Sequence, residues 1–230
     1  MGTEPSMHDF SLTRRLFAEW LGTAFLLCAV VGSGIMGERL AGGNEAIALL
    51  ANTVATGAML AVLILIFGPV SGAHLNPAVT VSLTIWGGFA QRDVMPYVAA
   101  QVVGALCGVA IAHMMFGEAI FTPGTMVRTG APLALAEFVA AFGLVATIIG
   151  CLRARPEAVA YAVGLYISAA YWFTSSTSFA NPAVTLARSL TDTFTGIRPI
   201  DAPVFMVAEL VGGIAAAFVF AWLWKPANRD

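Results

Sequence analysis

The phrase Asn-Pro-Ala-Val-Thr occurs twice in this chain, at residues 76–80 and 181–185. Each copy follows a polar, irregular stretch that interrupts apolar sequence, residues 71–75 before the first and 175–180 before the second. Asn before Pro predicts a helix start, because the Asn side chain caps free N–H groups and Pro fits the first helical position. The chain therefore has two matching places where an irregular segment gives way to a helix.

The residues that follow each copy predict a short helix, from Val79 to about Trp86 and from Val184 to about Leu190. Neither helix could span a bilayer, which takes roughly 20 apolar residues. Short, interrupted segments at corresponding places in two halves of a membrane protein indicate a central site or pore. The doubled phrase therefore predicts where such a site lies.

The composition indicates an integral membrane protein, because 59% of the residues are hydrophobic and only 10% are charged. A soluble domain carries about 25% charged residues. We expect residues 1–230 to form a single transmembrane channel domain, since this length allows six or seven spans with short loops. The net charge of -2 gives no reason to expect a nucleic-acid partner. Catalytic residues, a bound metal and a cofactor are not expected, and neither is enzymatic activity, because no metal-ligand spacing, nucleotide loop or nucleophile–base set is present.

The apolar pattern predicts an all-α fold with six transmembrane helices and two re-entrant segments. The six spans are expected at about residues 16–36, 45–67, 94–116, 132–152, 158–173 and 203–224. The re-entrant segments are expected at 68–88 and 174–191.

Six spans place both termini on one side of the membrane, and the positive residues favour that side by seven to four. The seven are Arg14, Arg15, Arg92, Arg153, Arg155, Lys225 and Arg229. Because cytoplasmic loops carry an excess of Lys and Arg, we expect cytoplasmic termini in a bacterial inner membrane.

The two halves, about residues 11–116 and 132–224, repeat one pattern, and Gln101 in the first half corresponds to Glu209 in the second. Each half has three spans, an odd number, so the second half must be inverted in the membrane. The two short helices should then enter from opposite faces and meet near the midplane.

Irregular backbone at membrane depth is tolerated only inside protein or along a water-filled cavity. Carbonyl acceptors along such a pathway are expected from Gly72, Ala73, His74, Leu75, Phe179 and Ala180. Asn76 and Asn181 would add amide donors where the short helices meet. The positive ends of both helix dipoles would repel cations and protons, so a passive pore for small uncharged solutes is predicted.

Glu19 and Glu137 are acidic residues within predicted spans, at corresponding positions of the two halves. Their symmetry predicts a structural role, accepting hydrogen bonds from backbone N–H groups of the re-entrant loops. The alternative is proton coupling, since acids inside a membrane often have a functional role.

Residues 71–80, the second Asn-Pro-Ala and residues 100–105 closely resemble the aquaporin/aquaglyceroporin family of major intrinsic proteins, and the likeness runs from Glu19 to Trp224. The resemblance implies six tilted helices and two half-helices in an inverted repeat, one pore per subunit and a homotetramer. The family's pore motifs correspond to Asn76, Pro77, Ala78, Asn181, Pro182 and Ala183.

Members of this family narrow at an outer selectivity filter of four positions. The family pattern places them at Thr56, Ser178, Val184 and Tyr171. Ala169 and Ala170 compete with Tyr171 for the position in the fifth span. The family normally has Arg where this chain has Val184, so the resemblance implies a wider and less cationic filter.

A further departure concerns the residue after Val184, since Thr185 stands where glycerol facilitators have Asp. The pattern of the filter resembles that of bacterial members associated with arsenic-resistance operons, which pass neutral arsenite. Arg188 lies one helical turn beyond Val184 and could replace the missing charge. The other interpretation is that Arg188 is solvated or pairs with Asp192.

The sequence thus predicts a passive channel for glycerol-like polyols, arsenite and related metalloid hydroxides, and water, whose partners are these solutes and the lipid bilayer. One alternative is a water-selective aquaporin. Another is a proton-coupled secondary transporter, which also uses inverted repeats and intramembrane acids. A junctional protein with little conduction gains no support from the short loops.

Overall fold

The computed structural model describes residues 9–225, and this part of the chain is helical and contains no β-strand. The first four helices are α1 (Leu12–Leu40), α2 (Glu45–Ser71), α3 (Pro77–Trp86) and α4 (Val94–Phe116). The next four are α5 (Ala131–Ala154), α6 (Val159–Phe173), α7 (Pro182–Arg188) and α8 (Ala202–Leu223). The same order, two longer helices, a short helix and another long helix, therefore occurs twice.

Five of these helices, α1, α2, α4, α5 and α8, are long and apolar enough to cross a membrane. The fifth predicted span, α6, has 15 residues and a length of about 22 Å. It is shorter than α2, its counterpart, because a 3₁₀ turn at Pro156–Ala158 precedes it and Thr174 is already extended. The all-α architecture predicted from the sequence is confirmed, with one span shorter than a typical membrane helix.

The two short helices begin where the Asn-Pro pairs predict. Oδ1 of Asn76 accepts the Ala78 N–H at 2.8 Å, and Oδ1 of Asn181 accepts the Ala183 N–H at 3.0 Å. Each Asn thus satisfies an N–H group that has no partner inside the helix. Both helices begin at the Pro, two residues earlier than the apolar pattern indicated, and α7 ends at Arg188 instead of Leu190.

Each short helix packs against a long helix of the other half: α3 lies against α8, and α7 lies against α4. Within the halves, α1 packs on α4 and α5 packs on α8. These crossings are close, since a Cβ at Gly104 would overlap the Trp20 carbonyl and a Cβ at Gly212 would overlap the Phe138 carbonyl. Small residues at a crossing let the helix backbones approach in a membrane.

Acidic side chains are buried inside the bundle, while many large apolar side chains are exposed on its outer surface. Glu19 and Glu137 are fully buried, whereas Leu165 and Phe218 are 71% and 62% exposed. Such a surface is stable only against lipid, because exposing large apolar side chains to water is unfavourable. The fold is therefore that of an integral membrane protein.

The two ends of the bundle differ in their connections. Arg15 at the start of α1 pairs with Asp93 just before α4 at 2.8 Å, on what we call the termini face. Arg39 at the end of α1 pairs with Glu118 just after α4 at 2.7 Å, on the opposite side. We call this second side the loop face; it carries residues 41–44, 117–130 and 189–201. Of the seven positive residues assigned to the termini side, Arg229 lies outside the described residues.

Candidate functional site

The two capping asparagines meet in the middle of the bundle and hold each other's loops. Nδ2 of Asn76 donates to the Ala180 carbonyl at 2.7 Å, and Nδ2 of Asn181 donates to the Leu75 carbonyl at 2.8 Å. An Asn amide has two N–H donors, so each side chain keeps one donor beyond this reciprocal contact. The arrangement places two amide donors side by side at the junction of the two halves.

The loops before the asparagines share an unusual backbone. Ala73 and Leu75 have φ angles of 45° and 50°, and Ser178 and Ala180 both have 53°. These are the third and first residues before each Asn, so the left-handed conformations occur at the same offsets in both halves. A non-glycine residue in this region costs on the order of 1–3 kcal/mol, and the surrounding contacts must hold it.

Glu19 provides that support in the first half. Its carboxylate accepts the N–H groups of His74 at 2.9 Å and Leu75 at 2.7 Å. It also accepts the Ser71 hydroxyl at 2.7 Å and the Gln101 amide at 2.8 Å. All four donors are directed at one buried acid, which fixes the strained loop from α1.

Glu137 does the same in the second half with fewer donors. Its two oxygens accept the N–H groups of Phe179 at 2.9 Å and Ala180 at 2.7 Å. The position equivalent to Gln101 is Glu209, whose Oε1 accepts the Thr185 hydroxyl at 2.5 Å. The buried support is therefore similar in both halves, but the second half has two acids where the first has an acid and an amide.

A narrow cavity, which we call the lumen, runs past both asparagines. About 60 Å³ of it is open to water-sized molecules, which corresponds to roughly four to six water positions. One part of its wall is apolar and comes from Leu26, Val30, Leu60, Ile64, Val79, Leu144, Ile148, Val163 and Ile167. The other part comes from the two irregular loops and their capping asparagines, which bring the polar groups. These residues are Ala73, His74, Leu75, Asn76, Ser178, Phe179, Ala180 and Asn181.

Most of the predicted site residues therefore lie together, but some do not reach the lumen. Gly72 is not among the lumen-lining residues, although a pore-lining carbonyl was expected there, and it is exposed. The reason is that α2 continues to Ser71 and Gly72 caps it with a φ of 86°, its N–H bonded to the Gly68 carbonyl. The Pro and Ala residues of both motifs, Pro77, Ala78, Pro182 and Ala183, are buried in the short helices behind the lumen.

All four proposed filter positions line the lumen: Thr56, Tyr171, Ser178 and Val184. The Tyr171 hydroxyl donates to Oγ1 of Thr56 at 3.3 Å. Of the three choices for the fifth-span position, Tyr171 reaches the lumen, whereas Ala169 and Ala170 do not. Oγ of Ser178 is buried and has no protein partner within residues 9–225.

Arg188 also lines the lumen, and its predicted pairing with Asp192 is wrong. Asp192 instead accepts the N–H and hydroxyl of Thr125 at 3.0 and 2.7 Å. Arg188 turns inward, where Nε donates to the Thr195 carbonyl at 2.5 Å and the guanidinium lies 3.3 Å from the Phe179 ring centroid. Sequence reasoning missed this pocket, because no local pattern shows that residues 189–201 fold back over α7.

A wider cavity, which we call the vestibule, opens on the loop face. About 480 Å³ of it is open to water-sized molecules, so it is much roomier than the lumen. Its polar lining includes Glu38, Asn44, Asn52 and Arg128, and it shares Arg188 with the lumen. Arg188 therefore lies where the two cavities adjoin.

A membrane-embedded lumen between two half-helices defines a transport channel. The chain belongs to the major intrinsic protein family, whose model matches residues 6–157 and again residues 135–230. The two matches agree with the repeated order of helices.

Similar proteins include the aquaglyceroporin AqpS of Rhizobium meliloti, 56% identical over 222 residues that cover 96% of this chain and 95% of the relative. Aquaporin AqpM of Methanothermobacter marburgensis is 32% identical over 242 residues, covering 93% of this chain and 98% of the relative. The X-ray structure of the aquaglyceroporin from Plasmodium falciparum superposes with a TM-score of 0.76 at 19% identity, covering 92% of this chain and 96% of that one. The last comparison supports the fold alone.

Proposed function

We propose that the protein is a passive channel for small uncharged solutes that carry hydroxyl groups. The substrates are glycerol-like polyols, arsenite and related metalloid hydroxides, and water. The observation that carries this proposal is the mixed lining of the lumen, which combines a polar stripe of amides and strained-loop residues with an apolar wall. A solute passing through can bond its hydroxyl groups to the stripe and lay its carbon or arsenic centre against the wall.

The filter supports permeation of solutes larger than water. Val184 is apolar, and the unpartnered Ser178 hydroxyl beside it can bond a solute oxygen. Arsenite in its neutral form has three hydroxyl groups on one centre, so it offers the same hydrogen-bonding groups as glycerol. Likeness to an aquaglyceroporin over almost the whole chain agrees with this substrate class.

A water-selective aquaporin is the second candidate, and the Tyr171 ring is the observation that favours it. This large side chain lines a lumen of only about 60 Å³, which limits the room for a polyol. Proton-coupled transport gains less support, because Glu19 and Glu137 are bonded to loop amides and are not among the lumen-lining residues.

The proposal includes a cellular setting. We expect a homotetramer in a bacterial inner membrane, with one lumen per subunit and both termini in the cytoplasm. The positive charges of Arg153, Arg155 and Lys225 agree with a positive termini face. The vestibule would then open outside the cell.

The experiment is light-scattering relaxation of proteoliposomes under separate gradients of water, glycerol and arsenite. Wild-type protein should pass all three, and Val184→Arg should lose glycerol and arsenite flux while some water flux persists, because the added side chain narrows the filter. Val184→Leu is the matched control, since it enlarges the residue slightly without adding charge. Water flux alone in the wild type would favour the water-selective candidate, and no flux of any solute would refute the open channel.

A further inference from the structure

Arg188 is the one Lys or Arg among the described residues that line the lumen, and no carboxylate lines it. The side chain is 2% exposed. A buried charge is costly unless it is paired, yet Arg188 has no ion-pair partner within residues 9–225. Such an exception needs a functional or structural reason.

The guanidinium is fixed in position by neutral groups. Nε donates to the Thr195 carbonyl, and the Phe179 ring lies 3.3 Å from the guanidinium carbon. Nη1 is buried and has no hydrogen-bond partner in the described part of the chain. The contacts therefore orient the group without neutralising its charge, and leave a donor free.

Its place on α7 directs this charge toward the solute path. Arg188 follows Val184 by four residues and so lies on the same side of the helix. It contributes to both the lumen and the vestibule. A solute that passes from one cavity to the other at this shared residue comes close to the guanidinium.

A second guanidinium, that of Arg128 in the vestibule lining, lies near the same ring but is already hydrogen-bonded. Arg128 lies 5.1 Å from the Phe179 centroid. Its Nε and Nη1 donate to the carbonyls of Gly196 at 2.9 Å and Ser176 at 3.2 Å. Arg128 therefore adds positive potential on the vestibule side, while Arg188 is the cation at the lumen itself.

We propose that Arg188 determines specificity at the junction of lumen and vestibule, where it rejects cations and offers Nη1 to the oxygen of an uncharged solute. This inference rests on the proposed channel function. A fixed arginine in a narrow, low-dielectric passage raises the energy of any cation nearby, because the repulsion is only weakly screened. Arg188 thus supplies, from one helical turn further along α7, the positive charge and N–H donor that the apolar Val184 lacks.

A competing source of cation rejection lies at the midplane. The N-termini of α3 and α7 both point at the asparagine pair and carry partial positive charge. If those dipoles were sufficient, removal of Arg188 would leave cation permeability unchanged. The test must therefore remove the guanidinium and leave both Asn-Pro-Ala segments intact.

The variants are Arg188→Met and Arg188→Ala, which remove the charge, and Arg188→Lys, which keeps it. Met retains a long side chain against Phe179, so it preserves packing if Ala does not fold. Arg39→Ala is the matched control, because it removes one positive charge from the loop face at a residue that does not line the lumen. Size-exclusion profile and thermal stability in detergent establish that each variant is folded.

The readouts are proteoliposome flux of glycerol and, separately, permeability to protons and Na⁺ under an imposed potential. Arg188→Met and Arg188→Ala should raise cation permeability by on the order of tenfold, and Arg188→Lys and Arg39→Ala should stay at the wild-type level. A folded Arg188→Met protein with wild-type cation rejection would overturn the proposal. Absence of glycerol and water flux in the wild type would instead refute the channel function, so the two failures are distinct.

Discussion

The Tyr171 hydroxyl donates a hydrogen bond to Oγ1 of Thr56 at 3.3 Å and ties α6 to α2. Both side chains line the lumen. The contact holds the Tyr171 ring in one orientation, so the largest side chain among the four filter positions is also a fixed one. Size discrimination should therefore depend on the ring more than on its hydroxyl.

Tyr171→Ala should raise the flux of a four-carbon polyol relative to glycerol several-fold, because removing the ring enlarges the narrow part of the lumen. Tyr171→Phe is the matched control: it loses the bond to Thr56 but keeps the ring, and should keep the wild-type ratio. Light-scattering relaxation with erythritol and glycerol gradients measures both. Equal ratios in the two variants would show that the ring does not set the size limit.

Glu19→Gln should destabilise the protein more than Glu137→Gln. Glu19 accepts four hydrogen bonds, from His74, Leu75, Ser71 and Gln101. Glu137 accepts two from its loop amides. A Gln side chain has one acceptor oxygen and would point an amide donor at other donors, and each buried donor left unpaired costs about 1–3 kcal/mol.

The comparison is made by thermal unfolding of purified protein in detergent, with flux measured on the same preparations. We expect the larger loss of thermal stability in Glu19→Gln, together with slower solute flux, because the strained loop before Asn76 loses its support. Equal thermal stability of the two variants would mean that the loss of stability does not depend on how many hydrogen bonds the acid accepts.

Glu209→Gln should stabilise the protein. Oε1 of Glu209 accepts the Thr185 hydroxyl, but no donor in the described structure is directed at the buried Oε2, and the Glu137 carboxylate lies close to it. At the equivalent place Gln101 donates to Glu19 and to Thr80, so an amide fits this environment. A gain of about 1 kcal/mol would raise the unfolding temperature by roughly 2–4 °C for a chain of this size.

The reverse substitution, Gln101→Glu, is the matched control for Glu209→Gln. It places a second acid beside Glu19 and should lower the unfolding temperature. A lower unfolding temperature for Glu209→Gln would show that the acid itself is required at this position.

The stability contributed by Asp201 should disappear in acid. Arg198 binds both carboxylate oxygens, at 2.9 and 3.1 Å, and holds the pKa of Asp201 below its usual value. The Arg128 N–H donates to the same carboxylate at 2.9 Å. Because the folded pKa is depressed, the stabilisation is present above the unfolded value of about 3.9 and is lost as the pH falls through the folded value.

Asp201→Asn should therefore unfold at a lower temperature than wild type at pH 7, and the difference should shrink as the pH falls below about 4. Thermal unfolding in detergent across this range measures it. Asp192→Asn is the control, since Asp192 is on the same face and its hydrogen bonds within residues 9–225 come from Thr125 alone. If the difference in unfolding temperature between wild type and Asp201→Asn did not change with pH, the ionised Asp201 carboxylate would not be the source of the stabilisation.

The Asn-Pro pairs made the central geometry predictable. Each pair encodes a helix start locally, and two such starts in matching halves leave few ways to arrange the chain. The buried acids could be inferred as well, since Glu19 and Glu137 occur at equivalent positions and an acid inside a membrane needs donors. The repeat of these residues in the two halves thus indicated their structural roles, which one copy alone would not have done.

The orientation of Arg188 could not be predicted in this way. Spacing on a helix made Asp192 its apparent partner, but α7 ends at Arg188 and the chain turns away before Asp192. The Thr195 carbonyl then approaches from a loop whose path depends on contacts with residues 117–130. Such loop packing is a tertiary property with no local sequence signal.

The exchange of short helices between the halves has a consequence for synthesis. As α3 enters the membrane its packing partner α8 has not yet been made, since α8 follows all the other helices of residues 9–225. The first half therefore cannot complete its packing before the second is inserted. The lumen itself is incomplete until α7 is inserted, because Asn181, Val184 and Arg188 line it, so a chain that stops before α7 contains no finished pore that could leak.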